Sequence, residues 1–159
     1  SNSIYITGYS RKISDEGVKK IKSKLCPSGT VLMSSRAPIG YLGISTSVTS
    51  LGTGIFAVLN NKYPSSGFIY FLIKNEIKKL KQLSIGTTFE EISKKIFEDF
   101  EIIYPNKEVL NGTKNIFDNF FKKIKLNTLE IETLIEIRNF ILPKMMKGEL
   151  KILSSKNRN

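Results

Sequence analysis

The 159-residue chain has no histidine, no tryptophan and one cysteine, and its 14 Asp and Glu are outnumbered by 25 Lys and Arg. Without an imidazole there is no Ser-His-Asp relay, no HExxH zinc site and no histidine general base. Cys26 alone closes no internal disulfide and builds no cysteine zinc site. The chain is therefore expected to be intracellular and reduced, with Cys26 a small semi-buried hydrophobe. No apolar run approaches the ~20 residues that span a bilayer, and the opening Ser1-Asn2-Ser3 has none of the pattern of a signal peptide. No membrane partner is expected, the expected location is cytoplasmic, and Ser1-Asn2 is set aside as a remnant of tag removal.

What is present is positive charge on a chain able to fold. A hydrophobic fraction of 40% can fill a core and a charged fraction of 25% is ordinary, so the net charge of +11 sits on a folded surface. The length suits one domain, or one domain with an appendage. A surplus of this size favours a polyanionic partner, because each Lys or Arg beside a phosphate gains attraction and releases counterions. Residues 11–36 hold seven basic and two acidic side chains, but the surplus is shared: +6 lies on residues 1–110 and +5 on the remainder.

The pattern changes near residue 110. Before it, short β-prone runs at 4–7, 30–35, 41–46, 54–59 and 100–104 alternate with turns and helical spacings. Val18, Ile21 and Leu25 predict a helix over 18–25 whose other face carries Lys19, Lys20, Lys22 and Lys24. The strands at 30–35 and 41–46 form a hairpin with Arg36 at its tip, and 67–83 is a second helix. Thr88 with Glu91 has capping-box spacing, which predicts a helix running to about 97. Beyond a polar link at 106–114, Phe117, Phe120, Ile124, Ile131, Leu134, Ile141 and Met145 recur in steps of three and four, with Asn127 and Arg138 in the two polar slots. This is a heptad seam with register-fixing interruptions, on a helix over about 114–147 that Pro143 ends or kinks. The fold class is α+β: a small mixed-sheet domain over 3–110, a long coiled-coil-forming helix within 111–150 and a polar tail at 151–159.

Four ordered motifs cover nearly the whole chain. They are Lys12-Ile13-Ser14-Asp15-Glu16-Gly17-Val18, then 27–40 with Ser34-Ser35-Arg36-Ala37-Pro38-Ile39-Gly40, then Gly86-Thr87-Thr88-Phe89 followed by Ile92-Ser93, and last 138–150 with Arg138-Asn139-Phe140-Ile141-Leu142-Pro143-Lys144. Together they resemble the target recognition domain and spacer helix of type I restriction-modification DNA specificity subunits. In that family a subunit carries two recognition domains and two spacer helices, and the helices pair as an antiparallel coiled coil that spaces two half-sites of a bipartite DNA target. This chain has one of each, about half a specificity subunit. It begins at the family's (W/Y)-I-T strand, here Tyr5-Ile6-Thr7, without the usual first hairpin. The resemblance implies a non-enzymatic chain that binds duplex DNA and works with a modification subunit, a restriction subunit, and a second recognition half or a second copy. No cofactor is implied, S-adenosylmethionine belonging to the modification subunit.

The residues agree with a non-catalytic role. No Asn-Pro-Pro-aromatic methyltransferase box and no glycine-rich cofactor loop is present. Glu76-Ile77-Lys78 has the Glu-x-Lys form of a nuclease triplet, but no Asp lies between residues 15 and 99 to share a metal, and no metal site is expected. Expected DNA contacts are Arg36 at the hairpin tip beside Ser34 and Ser35, and Lys12, Lys19, Lys20 and Lys22 on phosphates. Thr53, in the polar segment 46–53, joins them. Thr87 and Thr88 are expected as helix caps that also seat a phosphate. Tyr5, Tyr9 and Tyr41 are either core or DNA-facing. The rival reading is a coiled-coil adaptor whose basic face meets acidic protein or lipid; the 3.5-residue seam, which wants another helix, speaks against lipid.

Overall fold

A computed structural model of the chain describes residues 3–9, 12–20, 25–59, 65–86 and 90–149. In chain order its elements are β1 (Tyr5–Ile6), α1 (Asp15–Lys20), β2 (Leu25–Cys26), β3 (Val31–Ser34), β4 (Leu42–Ser45), β5 (Thr49–Ser50), β6 (Ile55–Val58), α2 (Ser66–Gln82), α3 (Lys94–Glu98) and α4 (Lys107–Met146). Four strands form a mixed sheet in the order β1-β4-β3-β6, with β1 parallel to β4 and β3 antiparallel to both its neighbours. β2 and β5 make a separate antiparallel pair. The α+β class expected from the residues is the one observed.

β3 is central because its β-branched and apolar residues are buried: Val31 and Met33 are almost fully covered, as is Ile44 across from Val31. α2 lies over this sheet. Ile69, Tyr70, Ile73 and Leu80 recur at helical spacing and join Val31, Met33, Ile39 and Ile44 in one core. Ser65 starts the helix, its hydroxyl accepting from the Phe68 N–H at 3.2 Å.

The helix expected over 18–25 begins earlier, at Asp15, and does not reach Leu25. Ser14 caps it, accepting from the Gly17 N–H, and Leu25 and Cys26 instead pair with Ser50 and Thr49 as strand. Burial of Cys26 in that pair fits a structural thiol, and burial also pushes its pKa up. The helix expected from Thr88 begins at Lys94 with Ser93 as its cap; Glu91 lies in a β-bridge with Ile85, which is incompatible with a helical turn there. Residues 100–104 form no strand. Phe100 packs on the core and Tyr104 meets Phe68 edge-on at 5.8 Å, so this stretch is held by its side chains rather than by a ladder.

α4 is 40 residues long, about 60 Å at the ordinary helical rise. It takes in the expected polar link, since Asn106 caps it by accepting from the Val109 N–H at 2.9 Å and Leu110 is buried. Pro143 does not end it. The proline removes one backbone bond near the C-terminus, and the helix completes its last turn with Lys147 N–H on the Pro143 carbonyl.

The face of α4 that meets the domain is Leu110, Phe117, Phe121 and Ile124, not the full seam predicted. Phe121, 5% exposed, touches the rings of Phe71 and Tyr70 in α2 and Tyr5 in β1, and its carbonyl accepts the Tyr5 hydroxyl at 3.1 Å. Gly67 makes this crossing possible, because any Cβ there would overlap the Phe121 ring. Phe120, 65% exposed, and Asn127 point away from that core. Two adjacent phenylalanines of equal hydrophobicity are separated here only by about 100° of helix rotation. Past Thr128, whose hydroxyl lies 3.4 Å from that of Ser3, no residue of α4 is buried.

Candidate nucleic-acid interface

Three segments far apart in sequence meet at one end of the main sheet. The first is the 35–41 connection between β3 and β4; the second is the 53–54 turn that starts β6 opposite Ser34; the third is the bridged pair Ile85 and Glu91. Backbone bonds tie them together: Ser35 N–H donates to the Gly54 carbonyl at 2.8 Å, and Ile92 N–H donates to the Ser35 carbonyl at 2.9 Å. Ser34 closes the first segment, its hydroxyl donating to the Pro38 carbonyl and accepting from the Tyr41 N–H. The Ala37-Pro38 bond in this turn is cis.

On this frame Arg36 is exposed and its Nε lies 3.0 Å from Glu91 Oε1. Thr53 is exposed on the neighbouring turn, and Tyr41 is 71% exposed. Ser35 is buried and holds the turn from behind. Lys81, at the C-terminal end of α2, passes beside Gly40 of the same turn. Arg36, Ser34, Ser35 and Thr53 are thus brought together, while Lys22, Thr87 and Thr88 lie outside the described residues. Lys12, Lys19 and Lys20 are all exposed. β1 runs parallel to β4 and so leaves the sheet at the end opposite the Arg36 turn, where the connection to α1 begins.

The tyrosines divide. Tyr5 is core, and burial raises its phenol pKa, as it does for Tyr70. Tyr9 is at the surface with its hydroxyl 2.6 Å from that of Thr49 in the polar segment 46–53. Glu76 of the nuclease-like triplet is paired with Lys79 at 2.7 Å, and among the described residues no group of three acidic or sulfur ligands gathers to hold a metal. Glu91, Lys81 and Gly54 are the members of this end of the sheet that residue patterns did not single out. Gly54, just ahead of a strand, carried a turn signal and Glu91 only that of a capping-box partner of Thr88; the approach of Glu91 and Lys81 depends on tertiary packing.

The distal half of α4 presents a second candidate surface. Ile131, Leu134, Ile141 and Met145 of the seam are exposed together with Arg138, Ile135 and Leu142 widen the apolar face, and Ile137 and Phe140 are exposed further round the helix. Among the described residues nothing covers it, and no helix is long and apolar enough to cross a membrane.

Comparison with known proteins adds the relationships. Residues 2–137 match the family described as type I restriction modification DNA specificity domain. The chain is 30% identical over 136 residues to the type I restriction enzyme MjaIX specificity subunit of Methanocaldococcus jannaschii, covering 84% of this chain and 32% of that protein. It is 27% identical over 152 residues to the type I restriction enzyme HindI specificity subunit of Haemophilus influenzae, covering 94% of this chain and 33% of that protein. The chain thus matches about a third of these relatives' length, not the half expected. The fold is similar to that of the type I restriction-modification S subunit from M. genitalium, with a TM-score of 0.53 at 18% identity over 76% of this chain and 33% of that one.

Proposed function

The chain belongs to the type I restriction modification DNA specificity domain family, and on that premise we propose that it is the sequence-reading part of a type I restriction-modification complex. The unit over 3–110, with the first turns of α4 packed into it, docks in the major groove of duplex DNA. The rest of the helix segment 111–150 acts as spacer and pairing element, ahead of the tail 151–159. Base contacts come from the Arg36 end of the sheet, with Thr53, while Ser34 and Ser35 shape the turn and Thr87 and Thr88 meet a phosphate. Lys12, Lys19, Lys20 and Lys22 meet phosphates on a separate stretch, contributing affinity rather than discrimination. Methylation and cleavage reside in separate modification and restriction subunits, so this chain is not an enzyme, needs no cofactor and acts in the cytoplasm.

The observation that carries this reading is the convergence of three chain segments on one exposed arginine at an end of the main sheet. For the helix, the support is an exposed seam with complementary charge along it: Glu130, Glu132 and Glu136 precede Arg138, Lys144 and Lys147. An antiparallel partner of the same kind sets acid against base, whereas a parallel one sets like charges together. Selection from a pool of random duplexes by the full chain, alone and with a modification subunit, tests the function. A single enriched motif is expected, and a pool that stays random contradicts it.

A further inference from the structure

The Arg36 side chain is held at two points. Gly54 has φ +82°, and a Cβ there would fall 3.1 Å from Arg36 Cδ and 3.2 Å from Cγ, so the arginine stem fills the space a side chain at 54 would take. At the head, Glu91 Oε1 engages Nε at 3.0 Å. Glu91 is itself fixed, its backbone bridged to Arg36 on one side and to Ile85 on the other. Yet the pair stays open, with side chains 55% and 46% exposed, and an ion pair so wet adds little to stability. What the contact does is select one orientation of the guanidinium. The ion pair lies on the Nε side of the guanidinium, and the two terminal nitrogens, which are not part of it, form a bidentate edge.

We infer that Glu91 is a positioning residue that presents this edge of Arg36 to the O6 and N7 acceptors of one guanine. The inference rests on the DNA-reading function above and names a specificity determinant within it. Guanine fits better than phosphate for a reason of charge. A carboxylate beside the arginine repels the full charge of a phosphate much more than the partial charges on the acceptor edge of a base. Lysines that only meet phosphates need no such clamp.

The test uses the motif selected by the full wild-type chain, with each guanine replaced in turn by 7-deazaguanine, which lacks the N7 acceptor. Wild type is expected to lose about tenfold in affinity at one position, within the range of a bidentate base contact. Glu91→Ala abolishes that sensitivity and binds the unmodified motif only about as well as wild type binds the modified one, while unrelated duplexes are bound at least as tightly because a negative charge has been removed. Arg36→Lys keeps the positive charge and the salt slope but loses the position effect, which covers the case of an alanine variant that does not fold. Wild-type-like sensitivity in Glu91→Ala overturns the inference alone. So does an Arg36→Lys variant that keeps the position effect, or an Arg36→Ala whose only change is a salt slope lower by about one unit, the mark of a phosphate contact. A wild-type chain that enriches no motif overturns the DNA-reading function, and the inference with it.

Discussion

Truncating Phe121 to alanine is expected to cost about 3–5 kcal/mol of folding stability, while the same change one residue earlier, at Phe120, costs under about 0.5 kcal/mol. The difference follows from where the two rings sit. Phe121 is 5% exposed, fills the space over Gly67 and touches Phe71 at 5.6 Å between ring centroids. Its removal leaves a cavity between α2, α4 and β1 that Gly67 has no side chain to fill. Phe120 is 65% exposed and makes no contact with that core. For a chain of this size each kcal/mol moves the melting midpoint by about 2–4 °C, so Phe121→Ala should lower it by about 6–20 °C and Phe120→Ala by a degree or two. Thermal and urea unfolding followed by circular dichroism, at two protein concentrations, separates folding from association. Equal losses for the two variants, or a larger loss at Phe120, would mean that α4 docks through the predicted seam and that its rotation on the domain is wrong.

Other consequences are as direct. Replacing Lys12, Lys19 or Lys20 singly with alanine should weaken binding to all duplexes alike and lower the salt slope by about one unit each, read by fluorescence anisotropy between 50 and 200 mM salt; a change in sequence preference instead would make that lysine a base reader. Leu134→Asp and Ile141→Asp should leave the monomer's melting midpoint unchanged, since both side chains are exposed, but abolish self-association measured by light scattering. A wild-type chain that stays monomeric at tens of micromolar would refute pairing between copies. With no histidine, stability should be flat between about pH 5.5 and 8. Burial raises the folded pKa of Cys26, Tyr5 and Tyr70 above their ordinary values of 9.0, 10.0 and 10.0. The folded state therefore holds these protons longer than the unfolded chain does. Their contribution is complete below those values and is lost as pH climbs through and past them. Stability that increased above pH 10 would contradict this.

The strands and helices with a clear internal period were legible in the residues. Val31 and Met33 alternate into the core, and Ile69, Ile73 and Leu80 keep helical spacing, so β3 and α2 appear where local pattern puts them. The misplaced elements are those where two local signals compete. Thr88 with Glu91 has the spacing of a helix start, but Glu91 is drawn into a bridge by Ile85, and Ser93 caps the helix instead. Apolar residues at 100–104 satisfy strand propensity, yet Phe100 packs on the core without a ladder and Ile103 stays 93% exposed. In α4 the spacing of three and four is shared by two rotated faces, one through Phe120 and one through Phe121. Only the glycine at 67, on another helix, decides between them. At the candidate site, Arg36 stood out as a charged residue in a tight turn, whereas its partner Glu91 lies 55 residues on and no local signal connects the two.

The most direct test of the central claim is the ratio of two dissociation constants, measured at one physiological salt concentration: that for the duplex selected from a random pool, and that for the same bases scrambled. Sequence-specific readers bind their sites about 10³-fold or more tighter than unrelated DNA. A ratio of that order, collapsing when the Arg36 end of the sheet is altered and unmoved when the α1 lysines are, is the expected result. A ratio near one, with affinity following salt alone, would leave a basic DNA-coating protein and contradict the assignment of sequence reading to this chain.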